Sequence, residues 1–478
     1  MSDEIAASQV VFERLSQRYE ARGGLTLSER GDALRALREG LRARQDRFVK
    51  AISADFGYRS RQETLLTELV VVLQAIDYTL PRIARWARPR RLPLAPPVWP
   101  ARAYGEPMPR GIACVMGPSN YPLQLAAMPL IAALSAGCPT LIKPSEMTPR
   151  TADEIAALVA AHLDPDKVGV VCGGPELGAH LAALPFGVIL FTGSGRVGAK
   201  VAEIAAPHLT PVILELGGKS PAILDRGADL ARTAETIVYG KLINAGQTCV
   251  APDYVLAPAE TFDETVAQLR AAALRLYPDA ERRDYTSLNS PRAHARLRAL
   301  EAGLDVAPLF DAAPPRYRPA LALNPPLDHP IMREEIFGPL LPVIPYQTIG
   351  DAVAIVRGLP DPLAVYWFGE KNAGFQTVLE RTRSGAVAVN ETVLQAGVSQ
   401  LPFGGVGASG YGRYHGQAGF AAFSHERIVF EQSRFSVTRL LRPPFGRRAD
   451  RIIGWLTGAS RAPAAAQGGK QILPAGPE

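Results

Sequence analysis

Apolar residues recur at intervals of three and four through the first eighty residues. Between Arg30 and Arg38, Ala33, Leu34 and Leu37 form one stripe while charged residues fill most other positions, the pattern of an amphipathic helix. Residues 91–100 break that pattern: four prolines in ten positions exclude a helix, and an extended arm or edge strand is predicted. From Gly111 the period changes again. Short apolar runs at 112–116, 140–142, 168–171 and 188–191 alternate with Ala- and Leu-rich helical segments, the signature of βαβ units on a parallel sheet covered on both faces. The most apolar stretch, 121–142, approaches membrane-span length, but Pro122, Pro129, Pro139, Gln124 and Gly137 punctuate it, so a buried helix, a turn and a strand are predicted. A second αβ series runs from Thr210 to about Asn390. The last fifteen residues, rich in Gly and Pro, are predicted to form a disordered tail.

Composition supports this reading. A chain of 478 residues with 47% apolar and 21% charged residues can bury a large core in two to four domains, and disordered, collagen-like, disulfide-rich and multi-span membrane classes are excluded. Lys and Arg exceed Asp and Glu by 52 to 46, a net charge of +6, which is too weak a field over this length to imply nucleic acid. The four cysteines, Cys114, Cys138, Cys172 and Cys249, show no CxxC spacing and no histidine cluster pairs with them, so no metal site is expected and reduced thiols in a cytoplasmic protein are. The acidic start, Met1-Ser2-Asp3-Glu4, lacks the order of a signal peptide. Residues 447–456 form a short basic amphipathic piece, but its apolar run is far too short to span a bilayer; a solvated terminal helix is the reading adopted, and membrane association is not expected.

Three segments carry candidate chemistry. Phe191-Thr192-Gly193-Ser194-Gly195-Arg196-Val197-Gly198 follows a predicted strand and opens a predicted helix, the context in which GxGxxG binds a dinucleotide: backbone without Cβ approaches the pyrophosphate, and the helix N-terminus offers unpaired N–H groups. Such a site wants an acidic residue about twenty positions on. Glu215 fits, but Lys143 and Glu146, after another strand, are rivals for the ribose, which leaves Glu215 free for chemistry. Third, Cys249 stands in a glycine-containing turn, Asn244-Ala245-Gly246-Gln247-Thr248-Cys249; taken alone, a buried inert thiol is the ordinary reading.

Taken in order, Gly117-Pro118-Ser119-Asn120-Tyr121-Pro122, Lys143-Pro144-Ser145-Glu146, the 191–198 turn, Leu214-Glu215-Leu216-Gly217-Gly218-Lys219, Gly246-Gln247-Thr248-Cys249, Glu334-Glu335-Ile336-Phe337-Gly338-Pro339 and Pro402-Phe403-Gly404-Gly405 make the chain resemble the NAD(P)-dependent aldehyde dehydrogenases over residues 10–435. Asn120-Tyr121-Pro122 and Tyr414-His415-Gly416 resemble the class 3 branch, which includes coniferyl, fatty and benzaldehyde dehydrogenases. The resemblance implies a Rossmann-like nucleotide-binding domain (1–80 and 105–210), an α/β catalytic domain (211–395), a small β oligomerisation arm (81–104 and 396–440) and a C-terminal extension (441–478). It implies Cys249 as nucleophile, Glu215 as general base and Asn120 as oxyanion donor. Lys143, Glu146, Gly193, Ser194, Gly198, Glu335 and Phe337 are implied as cofactor ligands, with NAD favoured over NADP because Glu146 should repel a 2′-phosphate, although Arg196 adds positive charge nearby. Tyr121, Phe403 and Tyr239 are expected in an apolar substrate tunnel, Asn390 near the active site, and a homodimer is expected through the arm. Ser119 stands where most relatives carry Trp, which is expected to leave room or polarity near the oxyanion site and leaves the mouth of the substrate pocket open. A glutamate at 215 argues against the CoA-acylating branch, and the presence of Cys249, Glu215 and Asn120 against a non-catalytic scaffold.

Overall fold

The computed structural model describes residues 3–279 and 283–458; the expected disordered tail lies outside them. Two compact units are present, Met1–Ala87 with Pro107–His425, and Arg88–Glu106 with the described residues from Glu426 on.

The first unit begins with helices whose ends are written in the sequence. Thr26 caps Leu27–Ala43 by accepting from the Glu29 amide, while the Glu29 carboxylate accepts from the Thr26 amide at 2.8 Å, a reciprocal capping box. Two sheets follow. The six-stranded sheet has the order Gly410–Tyr411, Val212–Leu216, Val188–Gly193, Ala113–Met116, Thr140–Lys143 and Val168–Val170. All its pairings are parallel except that of Gly410–Tyr411, which sets Gly410 opposite Glu215. Three of these strands are buried at nearly every position, as expected where helices cover both faces. The seven-stranded sheet has the order Val306–Pro308, Ala320–Leu323, Leu340–Tyr346, Tyr254–Pro258, Pro221–Leu224, Ala364–Phe368 and Ala386–Val389, parallel but for its first pair. The apolar 121–142 stretch is a buried helix, Gln124–Ala136, a turn, and the strand Thr140–Lys143. Among the described residues no helix is long and apolar enough to cross a membrane.

The second unit holds residues 90–92, 102–106 and 426–431 of a three-stranded sheet whose strands are Arg90–Leu92, Arg102–Pro109 and Ser424–Glu431. The Pro-rich stretch is not wholly extended: Pro96–Val98 is a 3-10 turn, a conformation that the fixed φ of consecutive prolines allows where an α-helix is forbidden. Residues 396–425 differ from their expected place in the arm. They cluster with the first unit because Gly410–Tyr411 pairs with the Glu215 strand.

Candidate active site

Three consecutive residues with positive φ, Asn244 (53°), Ala245 (51°) and Gly246 (74°), lead into Cys249. Left-handed backbone at non-glycine residues costs about 1–3 kcal/mol each and persists only where the surroundings over-determine it. Here they do. Gln247 donates to the carbonyls of Asn244 (2.9 Å) and Ser287 (3.1 Å) and accepts from the Asn289 amide at 3.0 Å, and at Gly246 a Cβ would collide with the Gly338 carbonyl. Asn120 Nδ2 donates to the Gln247 carbonyl at 3.1 Å, so its carboxamide is anchored to the same turn, with a second N–H on that nitrogen.

Cys249 lines two cavities. One, about 240 Å³, is apolar: Tyr121, Tyr239, Val393, Phe403 and Tyr414 are among its walls, and no Lys, Arg, Asp or Glu is among the described lining residues. The Tyr121 and Thr248 hydroxyls pair at 2.7 Å beside the thiol. The other, about 380 Å³, is polar and gathers Asn120, Gly193, Ser194, Glu215, Glu335 and Phe337. Residues more than two hundred positions apart thus meet at one sulfur.

Burial is the dominant electrostatic influence. It pushes the Cys249 thiol up to about 12, helped by the nearby Glu335 and Glu215 carboxylates and opposed by the backbone N–H groups of Cys249 and Val250. Burial also drives the Glu215 carboxyl well above its usual range, with Arg413 pulling weakly the other way. Neither Glu215 oxygen has a hydrogen-bond partner among the described residues. Glu335 rises to about 8, through burial first and then Asp253, against the Gly218 amide, Lys219 and Arg296.

The dinucleotide turn forms as the sequence predicts. The strand ends at Gly193 and the helix Gly195–Ala205 opens after Ser194, whose side chain makes no cap bond among the described residues; the Val197 and Gly198 N–H groups donate to the Ser194 carbonyl, which leaves those of Gly195 and Arg196 for a phosphate. A Cβ at Gly198 would lie 2.7 Å from Leu216 Cδ2, which makes this glycine a close helix–strand contact. Gly193 and Ser194 at the start of this turn share one cavity with Glu335, whose Oε1 has no partner among the described residues, and the residues fit a nicotinamide dinucleotide. Lys143 and Glu146 pair with each other at 2.9 Å at the end of Thr140–Lys143, and neither lines the polar cavity. Arg196 is exposed on the first turn of the helix.

One expectation is corrected. Asn390 is exposed and lines neither cavity; at φ 55° its carboxamide accepts from the Gly369 amide (2.8 Å) and donates to the Gly369 carbonyl (3.0 Å), closing a strand end. Ser119 accepts from Asn289 Nδ2 at 3.0 Å and lines the polar cavity beside Asn120 and Cys249, not the apolar one.

Other residues at the site escape sequence reasoning. Lys219 bonds Asp253 and the carbonyls of Ile331 and Glu334, both at 2.8 Å, while Arg296 holds the carbonyls of Glu335 and Ile336; together they fix the loop bearing Glu335 and Phe337. Arg59, Glu63 and Glu68 form a buried ion cluster against Asn120. A signal for Glu68 existed: it shares a helical face with Leu65, Leu69 and Val72, where a charge is out of place.

The aldehyde dehydrogenase family matches residues 12–429. A probable coniferyl aldehyde dehydrogenase of Pseudomonas aeruginosa is 42% identical over 94% of this chain and 96% of its own. The 4,4'-diaponeurosporen-aldehyde dehydrogenase of Staphylococcus aureus is 35% identical over 85% and 90%. Among solved structures, the substrate-bound state of Staphylococcus aureus AldH has a TM-score of 0.89 at 32% identity, covering 94% of this chain and 99% of that one. The chain belongs to the aldehyde dehydrogenase family and is an NAD(P)-dependent oxidoreductase that converts an aldehyde to its carboxylic acid.

Proposed function

We propose that Cys249 is the nucleophile, and the observation that carries this is its place in the wall of both cavities. An aldehyde in the apolar cavity meets the sulfur from one side, while Glu335 and Phe337 in the polar cavity would hold a nicotinamide and supply it as hydride acceptor. Sulfur adds to the carbonyl carbon, because an aldehyde has no hydride to give until the carbon is tetrahedral. The Asn120 carboxamide and the Cys249 backbone N–H are the donors for the developing alkoxide. Bound NAD(P)+ supplies the hydride acceptor that allows the thiohemiacetal to become a thioester. Glu215 then takes a proton from water as the oxygen adds to the thioester carbon, the C–S bond breaks, and the acid leaves. The same carboxylate can take the thiol proton at the start, provided it passes that proton to solvent before hydrolysis. That transfer suits a thiol that burial keeps protonated. Gly193, Ser194, Gly198, Glu335 and Phe337 hold the cofactor, with Lys143 and Glu146 on the adenosine ribose and NAD preferred to NADP.

The substrate is an aromatic aldehyde of the coniferyl type or a medium to long aliphatic one. Support comes from the uncharged lining around Tyr121 and Phe403, which offers no counter-ion to a second carboxylate among the described residues, and from relatives named for coniferyl aldehyde and for 4,4'-diaponeurosporen-aldehyde. The enzyme acts in the cytoplasm as a homodimer, in which the edge strand Ser424–Glu431, with Ile428 and Phe430 exposed, adds to a partner sheet. An aldehyde panel scored by kcat/KM with both cofactors tests the assignment. A burst of NADH with benzaldehyde or hexanal, lost in Cys249→Ala, is expected; absence of NADH with every aldehyde overturns it.

A further inference from the structure

Arg59 has no exposed side-chain surface, yet it touches neither cofactor nor substrate cavity. Its guanidinium donates to Glu63 Oε1 (3.2 Å), Glu68 Oε1 (3.0 Å), Thr67 Oγ1 (2.9 Å) and the backbone carbonyl of Asn120 (3.4 Å). Its plane also lies over the Tyr121 ring, 4.9 Å from the centroid. Each carboxylate that it holds reaches on to a different part of the site. Glu68 Oε2 accepts from the Leu123 and Gln124 amides at 3.0 and 2.7 Å, capping the helix that follows Asn120 where no local side chain does so. Glu63 Oε1 accepts from the Asn244 amide (3.0 Å) and the Thr286 hydroxyl (3.1 Å), gripping the first of the three left-handed residues that lead to Cys249. Asn244 closes the circuit by donating to the Asn120 carbonyl at 2.9 Å and to the Gln247 carbonyl at 3.1 Å.

We propose that Arg59 is a positioning residue for the oxyanion site, setting the Asn120 carboxamide relative to the Cys249 turn through the Asn120 carbonyl, with Glu63 and Glu68 as its two anchors. The proposal rests on Asn120 being the oxyanion donor. The physical reason for an arginine is geometric. Four acceptors on two chain segments, 63–68 and Asn120, are met by one rigid planar fork, which a lysine's single ammonium cannot reproduce. A buried ion cluster is a poor way to gain stability, since desolvation offsets the attraction. What it supplies here is a fixed direction for an amide that must meet charge only as it develops, where a displacement of about 1 Å costs about 10²-fold in rate.

The test is a double-mutant cycle on the holoenzyme. Stopped-flow measurement of the NADH burst with a good aldehyde reports the steps up to the thioester. Asn120→Ala should slow the burst by about 10²–10³-fold, and Arg59→Lys by about 10–10²-fold with the NADH dissociation constant unchanged. In the double variant the second change should add less than about threefold, because Arg59 acts through the amide that is gone. Glu68→Gln, which keeps an acceptor for the Leu123 and Gln124 amides, should give a smaller loss with the same non-additivity, and serves as the arm of the cycle if Arg59→Lys does not fold. A wild-type burst in the variant used, or losses that multiply in the double variant, overturns the proposal. If Asn120→Ala alone leaves the burst intact, it is the oxyanion assignment that has failed, and the proposal falls with it.

Discussion

Replacing Glu215 by Gln separates the two halves of the reaction. The substitution keeps shape and volume and removes only the ability to take a proton, so formation of the thioester should survive while its hydrolysis loses a general base, about 10²–10⁴-fold. The structure sharpens that range. Glu215 is 2% exposed, both its oxygens are unpartnered, and burial holds its carboxyl well above the usual range. Below its folded pKa the wild-type carboxyl is already protonated and resembles the amide; above it the carboxylate is present. The ratio of wild-type to variant kcat should therefore be small in acid, grow about tenfold per pH unit, and level off once the raised pKa is passed. Stability should move the opposite way. A carboxyl whose folded pKa is raised favours folding fully below its unfolded pKa, near 4.5, and that contribution is lost as pH rises through the folded pKa, so Glu215→Gln should melt no lower than wild type at neutral pH and comparatively higher in alkali. Stopped-flow fluorescence should show one NADH per active site followed by a slow steady rate, with a thioester that hydroxylamine traps. Full steady-state turnover in the variant refutes the base assignment. Loss of the burst together with nucleotide affinity returns Glu215 to the ribose.

The remaining predictions concern the walls of the site. Phe403→Ala should raise KM for benzaldehyde and hexanal by about tenfold, the cost of removing apolar contact, with KM for NAD unchanged by steady-state kinetics. Gly198→Val should lower stability by about 1–3 kcal/mol through overpacking against Leu216, read as a fall in the denaturant midpoint. Glu146→Gln should narrow the ratio of kcat/KM for NAD over NADP; an unchanged ratio removes this carboxylate from cofactor choice.

Much of the architecture was legible because one-dimensional signals were strong. Apolar runs at 112–116 and 188–191 could be little other than buried parallel strands, and Gly193-Ser194-Gly195 between strand and helix marks a phosphate turn by local geometry alone. Motif order also named Cys249, Glu215 and Asn120 as candidates. What remained hidden depends on residues distant in sequence meeting in space. The anchoring of Glu335 by Lys219 and Arg296 spans up to 115 residues, and the short strand Gly410–Tyr411 has no apolar period of its own; it exists because the Glu215 strand offers an open edge. Asn390 misled for the converse reason. Its place at a strand end matched a motif, but positive φ and a bidentate grip on Gly369 give it a local structural task.

Three buried glutamates, Glu63, Glu68 and Glu215, and the half-buried Glu335 lie around the Cys249 turn and the Asn120 segment, and the hydrogen bonds they make distinguish their roles. Glu63 and Glu68 are raised by burial yet satisfied: Arg59, peptide N–H groups and, for Glu63, the Thr286 hydroxyl supply donors to them. A carboxylate so held cannot approach a water without breaking several bonds worth about 1.5–3 kcal/mol each where a charge is involved, which suits an anchor. Glu335 is intermediate, with Oε1 unpartnered and the Gly218 amide as donor to the carboxylate, an arrangement able to receive one hydroxyl. Only Glu215 among the four has both oxygens unpartnered. Leaving a buried carboxyl unsatisfied costs folding energy without structural return, and it leaves both oxygens free to accept from a water once the carboxyl has lost its proton. That property belongs to a base, and it separates Glu215 from Glu335, whose pKa is also raised by burial, on grounds that a shifted pKa alone does not provide.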